Sequence, residues 1–130
     1  MALAAATLAN ALGFARDRSF YPTVTIVIAT YYALFAAMGA SGPALWIESV
    51  IGIGFAALAV FGFRSSLWWV AATLVGHGVF DFFHPAFIDN PAVPGWWPGF
   101  CLAFDVVLGA ALAFRLFSER KRLTSQPGLR

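Results

Sequence analysis

Between Gly76 and Pro85 the chain reads GHGVFDFFHP, which places His77, Asp81 and His84 within eight residues. Each residue of a helix turns the chain by about 100°, so these three side chains project within about 60° of one another. Two imidazoles and a carboxylate on one stripe make a partial ligand set for zinc, iron, manganese or copper, because each offers a lone pair once deprotonated. A fourth or fifth ligand has to come from another segment, and the candidates are Glu48 and Asp105. The expected centre is therefore His77, Asp81, His84, Asp105 and Glu48 around a divalent or transition metal ion, with zinc or iron favoured. In an enzyme, water on that ion would be the nucleophile and a spare carboxylate, Glu48 or Asp105, the catalytic base of a hydrolysis. Redox chemistry at iron or copper is the variant.

These polar groups sit in a chain that is 61% hydrophobic with a mean hydropathy of +0.80. Charged residues make up about a quarter of an ordinary soluble domain but only 11% of this chain, which points to a membrane protein. Crossing a hydrocarbon core of about 30 Å takes roughly 20 apolar residues. Four runs reach that length, at about 20–38, 44–63, 67–84 and 96–117. The expected fold is all-α: an integral membrane four-helix up-and-down bundle forming one domain over residues 1–118, then a basic cytoplasmic tail, 119–130, with a disordered composition. Ser19 is placed to cap the first span and Pro22 falls in its first turn. The apolar stretch at 1–15 is short for a crossing. It reads as an additional short N-terminal helix, amphipathic or packed on the bundle, with an extra short span as the alternative; a signal peptide would need a basic start, which is missing.

All eight basic residues fall on one side of four such crossings: Arg16 and Arg18, then Arg64, then Arg115, Arg120, Lys121, Arg122 and Arg130. The loops at 39–43 and 85–95 have none. The positive-inside rule then gives a multi-pass protein of a bacterial-type inner (plasma) membrane with both ends of the four-span bundle cytoplasmic. Arg16-Asp17-Arg18 serves as an anchor on that side, with lipid phosphate as the other reading. The basic residues orient the chain and do not form a nucleic-acid surface. This topology puts both histidines, Asp81, Glu48 and Asp105 in the outer half of the bundle, from three different helices, with Tyr31, Tyr32 and Cys101 in the same band. Charged groups at such depth are costly and normally have a partner.

Plainer roles stand beside these. A histidine one turn from an aspartate can be an interhelical hydrogen-bond clamp. Cys101, the one cysteine, can be a small packing residue, and Tyr31 and Tyr32 interfacial aromatics. The segment FIDNPAVPGWWPGF, stiffened with Pro85 by Pro91, Pro94 and Pro98, reads as a defined lid in which Asp89 and Asn90 cap a turn, with further oxygen ligands as the other reading. Trp96 and Trp97 suit an interfacial belt or the entrance for a lipid-like substrate. Gly52 with Ala56, Gly54, Gly76 and Gly78 allow close helix approach, within the chain or in a homo-oligomer. In outline the His and carboxylate cluster resembles intramembrane zinc hydrolases of the ceramidase and adiponectin-receptor type. Those have seven spans and paired histidines with three residues between them, whereas His77 and His84 are seven apart, so no residue role is carried over. The leading expectation is a metal-dependent hydrolase acting on a lipid-phase substrate. A carrier of protons, metal ions or small solutes, and an accessory or assembly subunit of a larger membrane complex, are the alternatives.

Overall fold

The computed structural model describes residues 2–11, 17–39 and 41–125. Arg16, Arg130 and the rest of the tail beyond Ser125 lie outside them. Among the described residues every element is a helix: α1 (Ala2–Ala11), α2 (Phe20–Ala29), α3 (Tyr31–Met38), α4 (Gly42–Arg64), α5 (Leu67–Phe87) and α6 (Trp97–Thr124).

Three segments are long and apolar enough to cross a membrane: Phe20–Met38, which is α2 and α3 together, then α4, then α6. The fourth expected crossing, α5, has the length at 21 residues but carries His77, Asp81 and His84, and its composition does not place it with the other three. Many large apolar side chains face outward while several ionisable ones are buried. Only 17% of the most apolar window of α4 is buried, and Trp46, Ile53 and Phe114 face outward. The buried set includes Thr25, Glu48, His77, Asp81, His84 and Asp105. An exterior of this kind suits hydrocarbon, where a polar group gains by turning inward.

Small residues decide which helices meet. A Cβ on Gly78 would lie 2.9 Å from Asp105 Cβ and 3.2 Å from Leu102 Cα, and one on Gly109 would lie 3.0 Å from the Ala71 carbonyl oxygen, so α5 and α6 pack almost backbone to backbone. Gly52 does the same for α4 against α2, its absent Cβ falling 2.6 Å from the Ala29 carbonyl oxygen. Gly54 and Gly76 face open space, so of the small residues singled out above, Gly52 and Gly78 make the close approaches within this chain. An apolar core of Tyr21, Val70, Ala71, Leu74, Leu108 and Leu112 joins α2, α5 and α6. At that end Arg18 Nη2 donates to the Phe63 carbonyl (3.4 Å), and Arg18, Ser66, Arg115 and Glu119 surround a cavity of about 400 Å³. Helix α1, about 15 Å long at 1.5 Å per residue, packs on α6, with Ala2 and Leu3 near Phe100 and Phe104.

The boundaries differ from the sequence expectation at four places. The Ser19 hydroxyl caps nothing; a capping oxygen serves the second or third helical N–H, and the third position is Pro22, which has none. Asp17 Oδ1 instead accepts the Ser19 N–H at 3.0 Å, which holds the Asp17 carboxyl below the usual carboxylate range. The first span is broken at Thr30, whose hydroxyl donates to the Val27 carbonyl at 2.6 Å, competing locally with the helical ladder. Helix α5 runs through Pro85 to Phe87, although the proline forgoes its own hydrogen bond and crowds the Asp81 carbonyl one turn back. Helix α6 continues through residues 119–124, where a disordered tail was expected. There Arg115 Nε donates to Glu119 Oε1 one turn on (2.9 Å) and Lys121 lies over the Phe117 ring, side-chain pairs that extend a helix into water.

Candidate metal centre

The polar stripe of α5 is wholly turned inward: His77 is 3% exposed, Asp81 1% and His84 1%. The ridge one residue away is glycine, and Gly78 lets α6 come close enough to bring Asp105, itself 1% exposed, up to the imidazole. His77 Nδ1 lies 2.8 Å from Asp105 Oδ2 and 3.4 Å from Asp81 Oδ2. One ligand atom from each of His77, Asp81 and Asp105 lies within 4.8 Å of the other two, a spacing that could hold a metal ion.

Glu48 and His84 stand apart from this group. His84 Nε2 lies 2.6 Å from Glu48 Oε1, joining α5 to α4. Asn90 reaches in from the loop after α5, and its Nδ2 donates both to Glu48 Oε1 (3.1 Å) and to the Tyr32 carbonyl (3.2 Å). The Tyr32 ring lies against His84 with centroids 4.1 Å apart, and Phe55 meets His77 edge-on at 4.7 Å. The five expected ligands therefore fall into two groups, His77 with Asp81 and Asp105, and His84 with Glu48 and Asn90. Cys101 is buried and free and does not belong to the three-residue group.

The two groups differ in how well they are satisfied. Glu48 has two nitrogen partners. In the other group both oxygens of Asp81, and Oδ1 of Asp105, are buried and lack a well-formed hydrogen bond among the described residues; Asp81 has only the Cys101 thiol, a weak donor, and His77 Nδ1 at 3.4 Å beside it. Two like charges about 4–5 Å apart repel by roughly 3–4 kcal/mol at an effective dielectric of about 20. Two carboxylates beside one imidazole therefore call for a cation or for shared protons.

Two cavities approach these groups from different sides. One, of about 260 Å³, is lined by His84 together with Pro85, Ile88, Asn90, Val93 and Pro94 of the proline-rich loop. The other, of about 520 Å³, lies between the first span and α6 and includes Cys101 and Asp105 in its lining. The loop itself is defined: Val93 N–H donates to the Asn90 carbonyl at 3.0 Å, closing a turn, while Asp89 is exposed. Asn90 was read as a turn residue. It is that through its backbone, but its side-chain contacts to Glu48 and Tyr32 carried no signal in the sequence. Tyr31 packs edge-on against Trp97 (5.3 Å), and Tyr32 is buried with its hydroxyl unpartnered among the described residues.

Comparison of the chain with protein-family models, curated proteins and solved structures finds no match.

Proposed function

We propose that the chain is a small inner-membrane metalloprotein in which His77, Asp81 and Asp105 hold one divalent ion in the outer half of a four-helix up-and-down bundle. Helix α5 serves as the fourth crossing, because its polar stripe is buried and what remains toward lipid is apolar. The observation that supports this reading is that ligand atoms of His77, Asp81 and Asp105 lie within 4.8 Å of one another, with three of the carboxylate oxygens buried and without a well-formed hydrogen bond among the described residues. A divalent ion balances the two carboxylate charges and satisfies the lone pairs. One imidazole and two carboxylates suit zinc, iron or manganese.

A divalent ion held by these three side chains would supply Lewis-acid chemistry, three protein ligands being the number usual in catalytic zinc sites. The chemistry such an ion would supply is metal-dependent hydrolysis of an ester or amide. Glu48 and His84, fixed to each other and to Asn90, act in this reading as a support between α4, α5 and the loop. A carrier would need polar groups continuing toward the arginine end, where the core is Tyr21, Leu74, Leu108 and Leu112; that asymmetry favours a one-sided site. Elemental analysis of the purified protein is the test. About one equivalent of a single metal, lost in folded His77→Ala and Asp81→Ala variants, is the expected result. No metal after reconstitution with zinc, iron, manganese and copper would leave a protonated hydrogen-bond network and favour the carrier or accessory-subunit alternatives.

A further inference from the structure

The cavity of about 400 Å³ at the arginine end of the chain is remote from the metal group. Asp105 and Arg115 are ten residues apart on α6, about 15 Å. Three segments meet around it: Asp17 and Arg18 just before α2, Ser65 and Ser66 just before α5, and Arg115 and Glu119 in α6. Its volume falls in the range of about 300–1,000 Å³ usual for small-molecule sites. Trp68 and Trp69, in the first turn of α5, are 46% and 54% exposed, and outward tryptophans at a helix end mark the level of lipid headgroups. Leu67 and Leu112, set further into their helices than Ser66 and Arg115, give the cavity an apolar floor.

The charges of the lining balance, Arg18 and Arg115 against Asp17 and Glu119, and they are not used up on one another. Arg18 forms no ion pair among the described residues; Nη2 donates to the Phe63 carbonyl at 3.4 Å. Arg115 commits Nε to Glu119 and keeps both terminal nitrogens. Asp17 Oδ1 takes the Ser19 N–H, which leaves Oδ2. The two serines divide in the same way. Ser65 Oγ donates to the Phe61 carbonyl at 2.7 Å and so can only accept from a ligand, whereas Ser66 Oγ accepts the Trp68 N–H and keeps its proton to donate. Tyr21 is 2% exposed and lines the same cavity, and its hydroxyl has no hydrogen-bond partner among the described residues.

Donors for an anion and acceptors for a cation therefore share one cavity at headgroup level. The planar fork of arginine suits phosphate oxygens. Two carboxylates and the Ser65 oxygen suit the N–H groups of a primary ammonium. A quaternary ammonium offers them no N–H, and a phosphate without an ammonium leaves both carboxylates facing an anion. We propose that this cavity binds the headgroup of one phospholipid in which a phosphodiester carries a primary ammonium, the phosphate on Arg18 and Arg115 and the ammonium on Asp17 and Glu119. The site stands independently of the metal reading.

Native mass spectrometry tests it. The full-length protein is released from detergent with equal amounts of phosphatidylethanolamine, phosphatidylcholine and phosphatidylglycerol of the same acyl chains. One phosphatidylethanolamine per chain should be retained several-fold more than either of the others. Arg18→Gln and Arg115→Gln should each bring that retention down toward the level of the other two lipids. Glu119→Gln should instead abolish the preference over phosphatidylglycerol. The Arg115–Glu119 pair is exposed and such pairs add little stability. Because lipids are compared within one variant, a variant of lowered stability still reports. Equal retention of the three lipids, best retention of phosphatidylcholine or phosphatidylglycerol, or a preference unchanged in both arginine variants would overturn the proposal. So would displacement of the lipid by equimolar glycerophosphoethanolamine, which would make the free headgroup the ligand.

Discussion

His77 on α5 and Asp105 on α6 meet with Nδ1 and Oδ2 2.8 Å apart, and Gly78, next to His77, is what allows it. A Cβ at Gly78 would fall 2.9 Å from Asp105 Cβ and 3.2 Å from the Leu102 backbone. Gly78→Ala should therefore push α6 off α5, lowering stability by about 1–3 kcal/mol, as overpacking generally does, and weakening metal binding. Gly76→Ala, which meets nothing within 4 Å, is the control and should leave both properties near wild type. Thermal melts in detergent with metal titration would check the pair; equal behaviour of the two variants would count against the close helix contact.

Asp81 contributes two buried oxygens without a well-formed hydrogen bond among the described residues, the Cys101 thiol being a weak donor beside them. Asp81→Asn removes a buried charge, so the metal-free variant should be at least as stable as the metal-free wild type. The ordering should reverse once metal is added. A ligand present at about 100 times its Kd adds about 2.7 kcal/mol to the wild type and should add little to Asp81→Asn. Melting curves with and without zinc or manganese read both halves of this expectation.

Glu48 and His84 make a pair that is separate from the metal group. His84→Gln should cost about 1–3 kcal/mol, because Glu48 is left buried with Asn90 as its remaining polar partner, yet metal stoichiometry should stay unchanged. Loss of metal in folded His84→Gln would move His84 into the ligand shell.

The orientation is open to a direct check. Asp89 and Arg120 are both exposed and lie at opposite ends of the proposed bundle. In a Cys101→Ala background, Asp89→Cys should react with a membrane-impermeant maleimide in right-side-out vesicles and Arg120→Cys only in inverted ones. The reversed pattern, Asp89→Cys reacting only in inverted vesicles and Arg120→Cys in right-side-out ones, would refute α5 as a crossing.

Much of this arrangement was legible in the residues themselves. The 77, 81, 84 spacing predicts one helical face, and that face is buried; counting depth along opposed helices brought Asp105 level with His77, and the two meet. The same counting put Glu48 level with Asp81, where it pairs instead with His84. Depth along a helix follows from spacing, but rotation about its axis depends on contacts such as Gly52 against Ala29 and on Asn90 folding in from the loop, which no periodicity encodes. Three of the expected crossings are apolar enough to be recognised alone. The fourth, α5, carries His77, Asp81 and His84 and so falls short of the other three in hydropathy. At the end of α6 a run of charges suggests disorder, whereas Arg115 with Glu119 and Lys121 over Phe117 support a helix.

The ligand shell itself is read most directly by X-ray absorption on the metal-loaded protein, after zinc, iron, manganese and copper have each been offered. The expected result is a nitrogen and oxygen shell with one imidazole and no sulfur at about 2.3 Å, the imidazole signal being lost in His77→Ala and kept in His84→Gln. Two imidazoles in the shell, an unchanged signal in His77→Ala, or no metal retained by the wild type would contradict a centre built from His77, Asp81 and Asp105.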